Sequence, residues 1–378
     1  MFQRLGLYIH VPFCKSRCAY CDFFSSTFGD EVRSDYIDRL CLEIMQRKCS
    51  AVGSEVATIY WGGGTPSVLT AVERNKVFKA IFDNYEIAEN AEITLEANPD
   101  DVDADFVEGL GDSPVNRVSL GVQTFDDRIL QTIGRRHDSS QAIKAVLLLN
   151  GHGIDNISID LIYGLPGQSL SGCSDDLDKA FSLPITHLSA YSLMFEEGTR
   201  ITKWRDEGRL SEVGENEVVS MYEQLISRCG KEGFEHYEIS NFAKPGFRSR
   251  HNSSYWHGVA YLGFGPGAHS YNGSNERRSN NCSIQEYISS ADDVPHQVEL
   301  LDNDAIYDEM VMTSLRTSEG IDLSHVERVY GQASKDSLLL TASKYIKDGT
   351  LKLDGGRLSF SEKGFLLSDM VMSDLMRI

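Results

Sequence analysis

Six short runs rich in β-branched and aromatic residues recur through the first half of the chain: LGLYIHV, ATIYW, EITLEA, RVSLGV, NISIDLIYG and HLSAYSL. Amphipathic helix patterns lie between them, at residues 31–48, 72–84 and 139–150. Gaps of that length are too long for hairpins, and a strand–helix–strand alternation calls for crossovers and a parallel sheet. The expected fold class is therefore α/β, a partial (β/α)6 barrel, closed or nearly so. Antiparallel, half-exposed strands are the competing reading.

Strand periodicity divides these runs into two faces. Ile93, Leu95 and Ala97 oppose Thr94, Glu96 and Asn98; Val118, Leu120 and Val122 oppose Ser119, Gly121 and Gln123. Ile157, Ile159 and Leu161 oppose Ser158 and Asp160, and Ile9 and Val11 oppose Tyr8 and His10. The apolar sets are expected under the helices, which leaves the polar sets inside. Barrel interiors are ordinarily filled by branched apolar side chains, and a polar interior is costly unless something polar occupies it. A polar cofactor at the C-terminal ends of the strands is the expectation.

Beyond residue 237 the texture changes to Gly-, Tyr- and His-rich segments, and from about residue 298 to short helical patterns followed by LKLDGGRLSF, a hairpin signal with a Gly-Gly turn. Three units are expected: a barrel over 1–236, a connecting segment over 237–297 and a small α+β unit over 298–378. Lys plus Arg number 36 against 56 Asp plus Glu, a net charge of −20. That field repels phosphate backbones and anionic lipid, so nucleic acid and membrane surfaces are poor partners. No apolar run approaches the roughly 20 residues of a spanning helix, and the N-terminus has no secretory pattern. A cytoplasmic protein is expected.

Eight cysteines in a reducing compartment are not a disulfide framework. Cys41 and Cys229 fall on apolar helical faces, and Cys49, Cys173 and Cys282 have no neighbours at ligand spacing. Only Cys14, Cys18 and Cys21, in HVPFCKSRCAYCDF, form a constellation. Zinc usually takes four ligands in two pairs, and no second pair follows. A C-x3-C-x2-C loop can instead give one thiolate to each of three irons of a cubane cluster, leaving the fourth iron open to a chelating ligand. A partial zinc site or a chance grouping remains the alternative.

With its aromatic Tyr20 before the last cysteine, the loop resembles the signature of the radical S-adenosylmethionine (SAM) superfamily. More narrowly, YIHVPFCKSRCAYCDF, WGGGTPS, LEANP, SLGVQTF, IGRRH, IDLIYGLPGQ, HLSAYSL and HNSSYW resemble the group that contains oxygen-independent coproporphyrinogen III oxidase and the HemW heme chaperones. The resemblance spans nearly the whole chain. It implies a [4Fe-4S] cluster on Cys14, Cys18 and Cys21, with SAM chelating the open iron. It further implies SAM contacts from Tyr8, Tyr20, Gly63, Gly64, Thr65, Glu96, Gln123, Arg135 and Asp160, and a weaker one from Met194 near the adenine. A cationic Arg135 suits the SAM carboxylate, and carboxylates suit its ammonium and ribose hydroxyls. In the superfamily, an electron from the cluster cleaves SAM to methionine and a 5′-deoxyadenosyl radical.

Two departures from the oxidase branch stand out. That branch carries a further cysteine where this chain has Phe23, and an N-terminal extension that is not seen here. On the other side, HNSSYW matches the H-N-x-x-Y-W stretch of the chaperone branch. His251 is the expected heme-iron ligand, with His257 and His269 as alternatives, Tyr255 and Trp256 flanking the macrocycle, and Arg248 and Arg250 meeting the propionates. The resulting expectation is a heme chaperone whose partners are heme, heme-requiring client proteins (respiratory ones among the candidates) and an electron-donor protein. A radical-SAM oxidase of coproporphyrinogen III or another tetrapyrrole is the alternative, and a zinc-stabilised binding module a third. No catalytic residue is assigned.

Overall fold

A computed structural model describes residues 3–377. Its centre is a parallel sheet of β1 (Gln3–Val11), β2 (Ser54–Gly63), β3 (Ile87–Ala97), β4 (Arg117–Gln123), β5 (Ile157–Tyr163) and β6 (His187–Ser192), hydrogen-bonded in sequence order. The expected crossover helices are present: Asp30–Gln46, Ala71–Asn84 and Ser139–Gly151 lie within two residues of the patterns at 31–48, 72–84 and 139–150. Two of them begin at capping boxes, Thr70 with Glu73 and Asp138 with Gln141, which satisfy the N-terminal donors reciprocally.

The sheet is open. Past β6 it continues antiparallel through β8 (Asn241–Ala243) to β7 (Glu235–Glu238). On the β1 side it takes β9 (Tyr261–Phe264) in parallel, then β10 (His269–Tyr271), β11 (Glu276–Ser279) and β12 (Gln297–Leu300) in antiparallel. Residues 237–297, expected as a connecting segment, thus supply strands of the main sheet. These strands have only three or four residues, too few for a period of two to be read from sequence.

Register fixes which side chains share a face. Tyr8 pairs with Tyr60, Tyr60 with Thr94, and Thr94 with Arg117. Glu96 pairs with Ser119, Ser119 with Ser158, and Gly121 with Asp160. The polar sets therefore form rows across one face, as periodicity required. The opposite face, with Ile9, Ile59, Leu95, Leu120 and Ile159, is sealed under the helices as one continuous core.

The last part of the chain carries a small antiparallel sheet ordered β13 (Ile321–Asp322), β15 (Arg357–Phe360), β14 (Leu351–Asp354). Gly355 and Gly356, both at positive φ, make the expected two-residue hairpin turn. No helix among the described residues is long and apolar enough to cross a membrane. Cys173, Cys229 and Cys282 are buried and Cys41 is half-buried, and no cysteine is in a disulfide.

Candidate cofactor and heme-motif site

The cysteine loop leaves β1 at Val11 and is held by the glycines that follow β2. A Cβ on Gly64 would stand 2.8 Å from the Phe13 carbonyl oxygen and 2.9 Å from that of Val11, and the Gly64 amide donates to Val11 at 2.8 Å. Gly63 lies at φ 110°, where a Cβ would strike the His10 imidazole at 2.6 Å. Glycine is required here because two stretches of backbone touch. Farther along, the Ala19 amide donates to Ile133 and its carbonyl accepts from Ile201. Ala19 and Tyr20 pack into a small core with Ile129, Ile162 and Leu165.

The three thiols of the loop are half-buried and free. A chain of polar contacts links two of them. Thr65 Oγ1 donates to Cys14 Sγ at 3.4 Å, and Asn98 Nδ2 donates to Thr65 Oγ1 at 3.5 Å. Arg135 Nη2 donates to Asn98 Oδ1 at 2.7 Å, and its Nη1 to Cys18 Sγ at 3.3 Å. Arg135 also donates to the Gly121 carbonyl. Among the described residues, no three His, Cys, Asp or Glu side chains are gathered as a single-ion site requires. Thiolates on separate irons of a cubane stand farther apart than thiolates on one zinc. Three accessible sulfurs at the mouth of a polar sheet face, with donors already directed at two of them, suit a cluster, because hydrogen bonds to ligand sulfur stabilise its charge.

Inside the sheet, Tyr60 donates to Glu96 at 2.6 Å and Ser119 to Asp160 at 3.2 Å. Burial lifts the Glu96 carboxyl to about 7, opposed by the Tyr60 hydrogen bond, and Asp160 is raised by burial as well. Tyr8 bonds the Nδ1 of His10 at 3.0 Å, and its phenol is pushed far above the ordinary value by burial and then by Glu96. Gln123 sits at φ 70°, the single non-glycine residue with positive φ among those described. Strain of that kind persists only where surrounding structure over-determines it, and such residues cluster at ligand sites. Met194 is exposed, outside the cavity described below.

The HNSSYW motif forms the helix Arg250–Trp256, and it lies against the polar face rather than on the surface. Glu92 of β3 accepts from the Arg250 and His251 amides at 3.0 and 2.9 Å, a carboxylate at the helix N-terminus. His251 fits a notch left by Gly6, where a Cβ would come within 3.4 Å of the imidazole. Its Nδ1 is bonded to Thr58 Oγ1 and its Nε2 to Tyr255 Oη, both at 2.8 Å, while the Tyr60 ring stacks on it at 5.0 Å. His251 has 0 % exposure, and both of its ring nitrogens are hydrogen-bonded to hydroxyls. Burial, and then the charge of Arg117, holds the His251 imidazole neutral, pushed down to about 3, and a metal at either nitrogen would have to displace the hydroxyl of Thr58 or Tyr255.

The proposed propionate partners are committed too. Arg248 pairs with Glu235 at 3.1 Å and Glu319 at 2.5 Å, and Arg250 donates to the Asn90 carbonyl at 2.6 Å. By contrast, Tyr255, Trp256, His257 and His269 line a cavity of about 1000 Å3, which reaches from Tyr8, Gly63 and Glu96 to the C-terminal unit at Met312 and His325. Trp256 lies under the Arg316 guanidinium at 4.7 Å. His257 spends Nδ1 on the Ser253 carbonyl at 2.7 Å, and His269 is exposed.

Sequence reasoning missed Tyr60 and Arg117. Both were legible, since Tyr60 shares parity with Thr58, and Arg117 lies two residues before Ser119 on the interior side. A β7 feature was not legible: His187 of β6 repeats the His251 arrangement, with Ser158 Oγ at Nδ1 and Tyr237 Oη at Nε2, each at 2.7 Å.

The chain is similar to known proteins along its whole length. Residues 8–180 match the model of the Radical SAM superfamily and residues 301–367 that of the HemN C-terminal domain. The solved coproporphyrinogen III oxidase (HemN) of Escherichia coli superposes with a TM-score of 0.86 over 100 % of this chain and 91 % of that one, at 22 % identity, a likeness of fold. The heme chaperone HemW of Lactococcus lactis is 34 % identical over 96 % of this chain and 95 % of its own. That of Bacillus subtilis is 34 % identical over 96 % and 97 %. With similarity at that level from end to end, this chain belongs to the HemW family within the radical SAM superfamily.

Proposed function

We propose that the protein is a heme chaperone, which takes up heme in the cavity between the sheet mouth and the C-terminal unit and passes it to client proteins. The observation that carries the reading is that cavity, set in a chain of this family. Its volume of about 1000 Å3 suits a flat macrocycle, and Tyr255 and Trp256 give it aromatic walls. Heme-requiring clients and an electron-donor protein are its partners, and the cytoplasm is its compartment.

Cys14, Cys18 and Cys21 would hold a [4Fe-4S] cluster, and Tyr8, Tyr20, Gly63, Gly64, Thr65, Glu96, Gln123, Arg135 and Asp160 would hold SAM. Bound there, the two groups would supply one-electron chemistry beside the cavity. The chain's own part is physical. Gly63 and Gly64 fix the cysteine loop, Arg135 and Thr65 donate to sulfur, and Glu96 and Asp160 offer acceptors. Among the imidazoles that line the cavity, His257, His269 and His325 each keep a nitrogen to spare, so the iron ligand is sought there.

Titration of hemin into the anaerobically reconstituted protein, followed by the Soret band, tests the proposal. His269→Ala or His257→Ala is expected to alter the Soret position or weaken uptake at least tenfold. Turnover of coproporphyrinogen III to protoporphyrinogen with SAM and a reductant, without stable heme uptake, would establish the oxidase instead.

A further inference from the structure

Two buried arginines behave differently. Arg74 donates to the Leu69 carbonyl at 2.5 Å and lies over the Phe106 ring at 5.1 Å. Arg117, at the first position of β4, enters the polar face beside Thr94. It is 1 % exposed, and neither its Nε nor its Nη1 has a hydrogen-bond partner. An enclosed cation without a partner is strongly unfavourable unless its charge is balanced through the low-dielectric interior.

The groups around it show what that balance is. Glu96 and Asp160 both feel its positive charge. His251 and His187 flank it, each held by a hydroxyl at Nδ1 and a phenol at Nε2; burial and then Arg117 keep both neutral. The phenols of Tyr8, Tyr60, Tyr191 and Tyr237 are all raised by burial and stay neutral too. Glu92 is committed to helix amides, and Glu238 to Arg316 at 2.9 Å. The other cation near the carboxylates, Arg135, is committed to Cys18, Asn98 and Gly121. What remains is one guanidinium without a hydrogen-bonded partner at its Nε and Nη1, on the sheet face that carries Glu96 and Asp160.

We propose that Arg117 is the buried counter-cation of Glu96 and Asp160, a positioning residue that favours their ionised forms against burial and holds them in place for the ammonium and ribose hydroxyls of SAM. The role in cofactor binding rests on the SAM site proposed above; the charge coupling does not. Removing the cation must raise the pH at which Glu96 ionises, because a neighbouring positive charge favours the carboxylate.

The test follows the carboxylic-acid C=O stretch by infrared pH titration of the full chain without cluster. Arg117→Met is expected to move the Glu96 band's midpoint up by about one pH unit, Glu96→Gln to abolish the band, and Arg117→Lys to restore the midpoint. An unchanged midpoint in folded Arg117→Met overturns the proposal. Should Arg117→Met fail to fold, Arg117→Met/Glu96→Gln/Asp160→Asn must fold, since it removes the cation and both carboxylates; failure of that triple variant also overturns it. In the reconstituted protein, calorimetry is expected to show SAM binding weakened about tenfold near pH 7 by Arg117→Met, recovering as pH rises. A wild-type protein that takes up no SAM refutes the cofactor site, while the infrared midpoint still decides the role of Arg117.

Discussion

The cysteine loop and the HNSSYW helix approach the same cavity with opposite designs. Around Cys14 and Cys18 the protein leaves sulfur half-exposed and aims donors at it, from Thr65 and Arg135. Around His251 every valence is already used: Thr58, Tyr255 and the Tyr60 ring enclose it. One region leaves its ligand-type atoms open, and the other spends them on holding a helix against a sheet. A residue's chemistry alone does not separate these roles, for thiol and imidazole are both good ligands. Exposure and free valence do.

The sharpest way to break this comparison is to remove one residue from each region. Cys18→Ala is expected to lose nearly all cluster iron and sulfide by anaerobic analysis, since two thiolates cannot hold three corners. His251→Ala should leave the iron content unchanged. Iron lost from His251→Ala to the same extent would show that the two regions are one site.

Acid offers the next test, because enclosure of imidazoles is not confined to His251. Burial lowers His10, His137 and His236 to about 4 and His251 to about 3, and holds His187 well below its ordinary value of 6.5. Each is neutral when folded and charges when unfolded. Its contribution is therefore present above 6.5 and lost as pH falls toward the folded values. Glu96 works the other way: its contribution is present below 4.5 and is lost as pH rises through about 7. Asp160, Asp176, Asp100 and Glu309 are raised by burial in the same sense as Glu96, and between pH 5 and 6.5 the five imidazoles outweigh them, so stability should rise with pH through this window. The loss near pH 5.5 is about 1 kcal/mol per imidazole. Urea midpoints across that range measure it, and a flat profile would mean that the imidazoles are not enclosed.

The smallest effects separate His251 from its neighbour Arg248. His251→Ala is expected to cost about 3 kcal/mol, through a cavity under Tyr60 and an unpaired Thr58 hydroxyl, without loss of heme uptake. Arg248→Ala removes partly exposed pairs with Glu235 and Glu319 and should cost less than about 1 kcal/mol. Equilibrium unfolding of both variants beside hemin titration makes the measurement. Loss of heme uptake in His251→Ala, with stability intact, would return that residue to the metal.

Much of the fold was legible because its signals are local. The alternation of Thr94, Glu96 and Asn98 with Ile93, Leu95 and Ala97 follows from strand geometry alone, and the structure keeps each residue on its expected face. Asn98 and Arg135 are far apart in sequence yet meet at 2.7 Å. That contact depends on where the end of β3 meets the turn after the short helix Asp127–Thr132, and no window of sequence contains it. The strands between 235 and 300 were missed because four residues carry no measurable period. The setting of His251 was hidden for a related reason: the motif names the residue, but the notch at Gly6, some 245 positions earlier, decides which way it points.

By itself, then, the order of residues settled the crossover topology, the polar lining and the grouping of three thiols, since hydrogen-bond geometry and side-chain period act over a few positions. Which polar groups keep a free valence, and which are spent on one another, was decided only when distant strands and the HNSSYW helix came together. Desolvation and hydrogen bonding depend on everything within a few ångströms, and for His251, Arg117 and Arg135 those neighbours come from all along the chain.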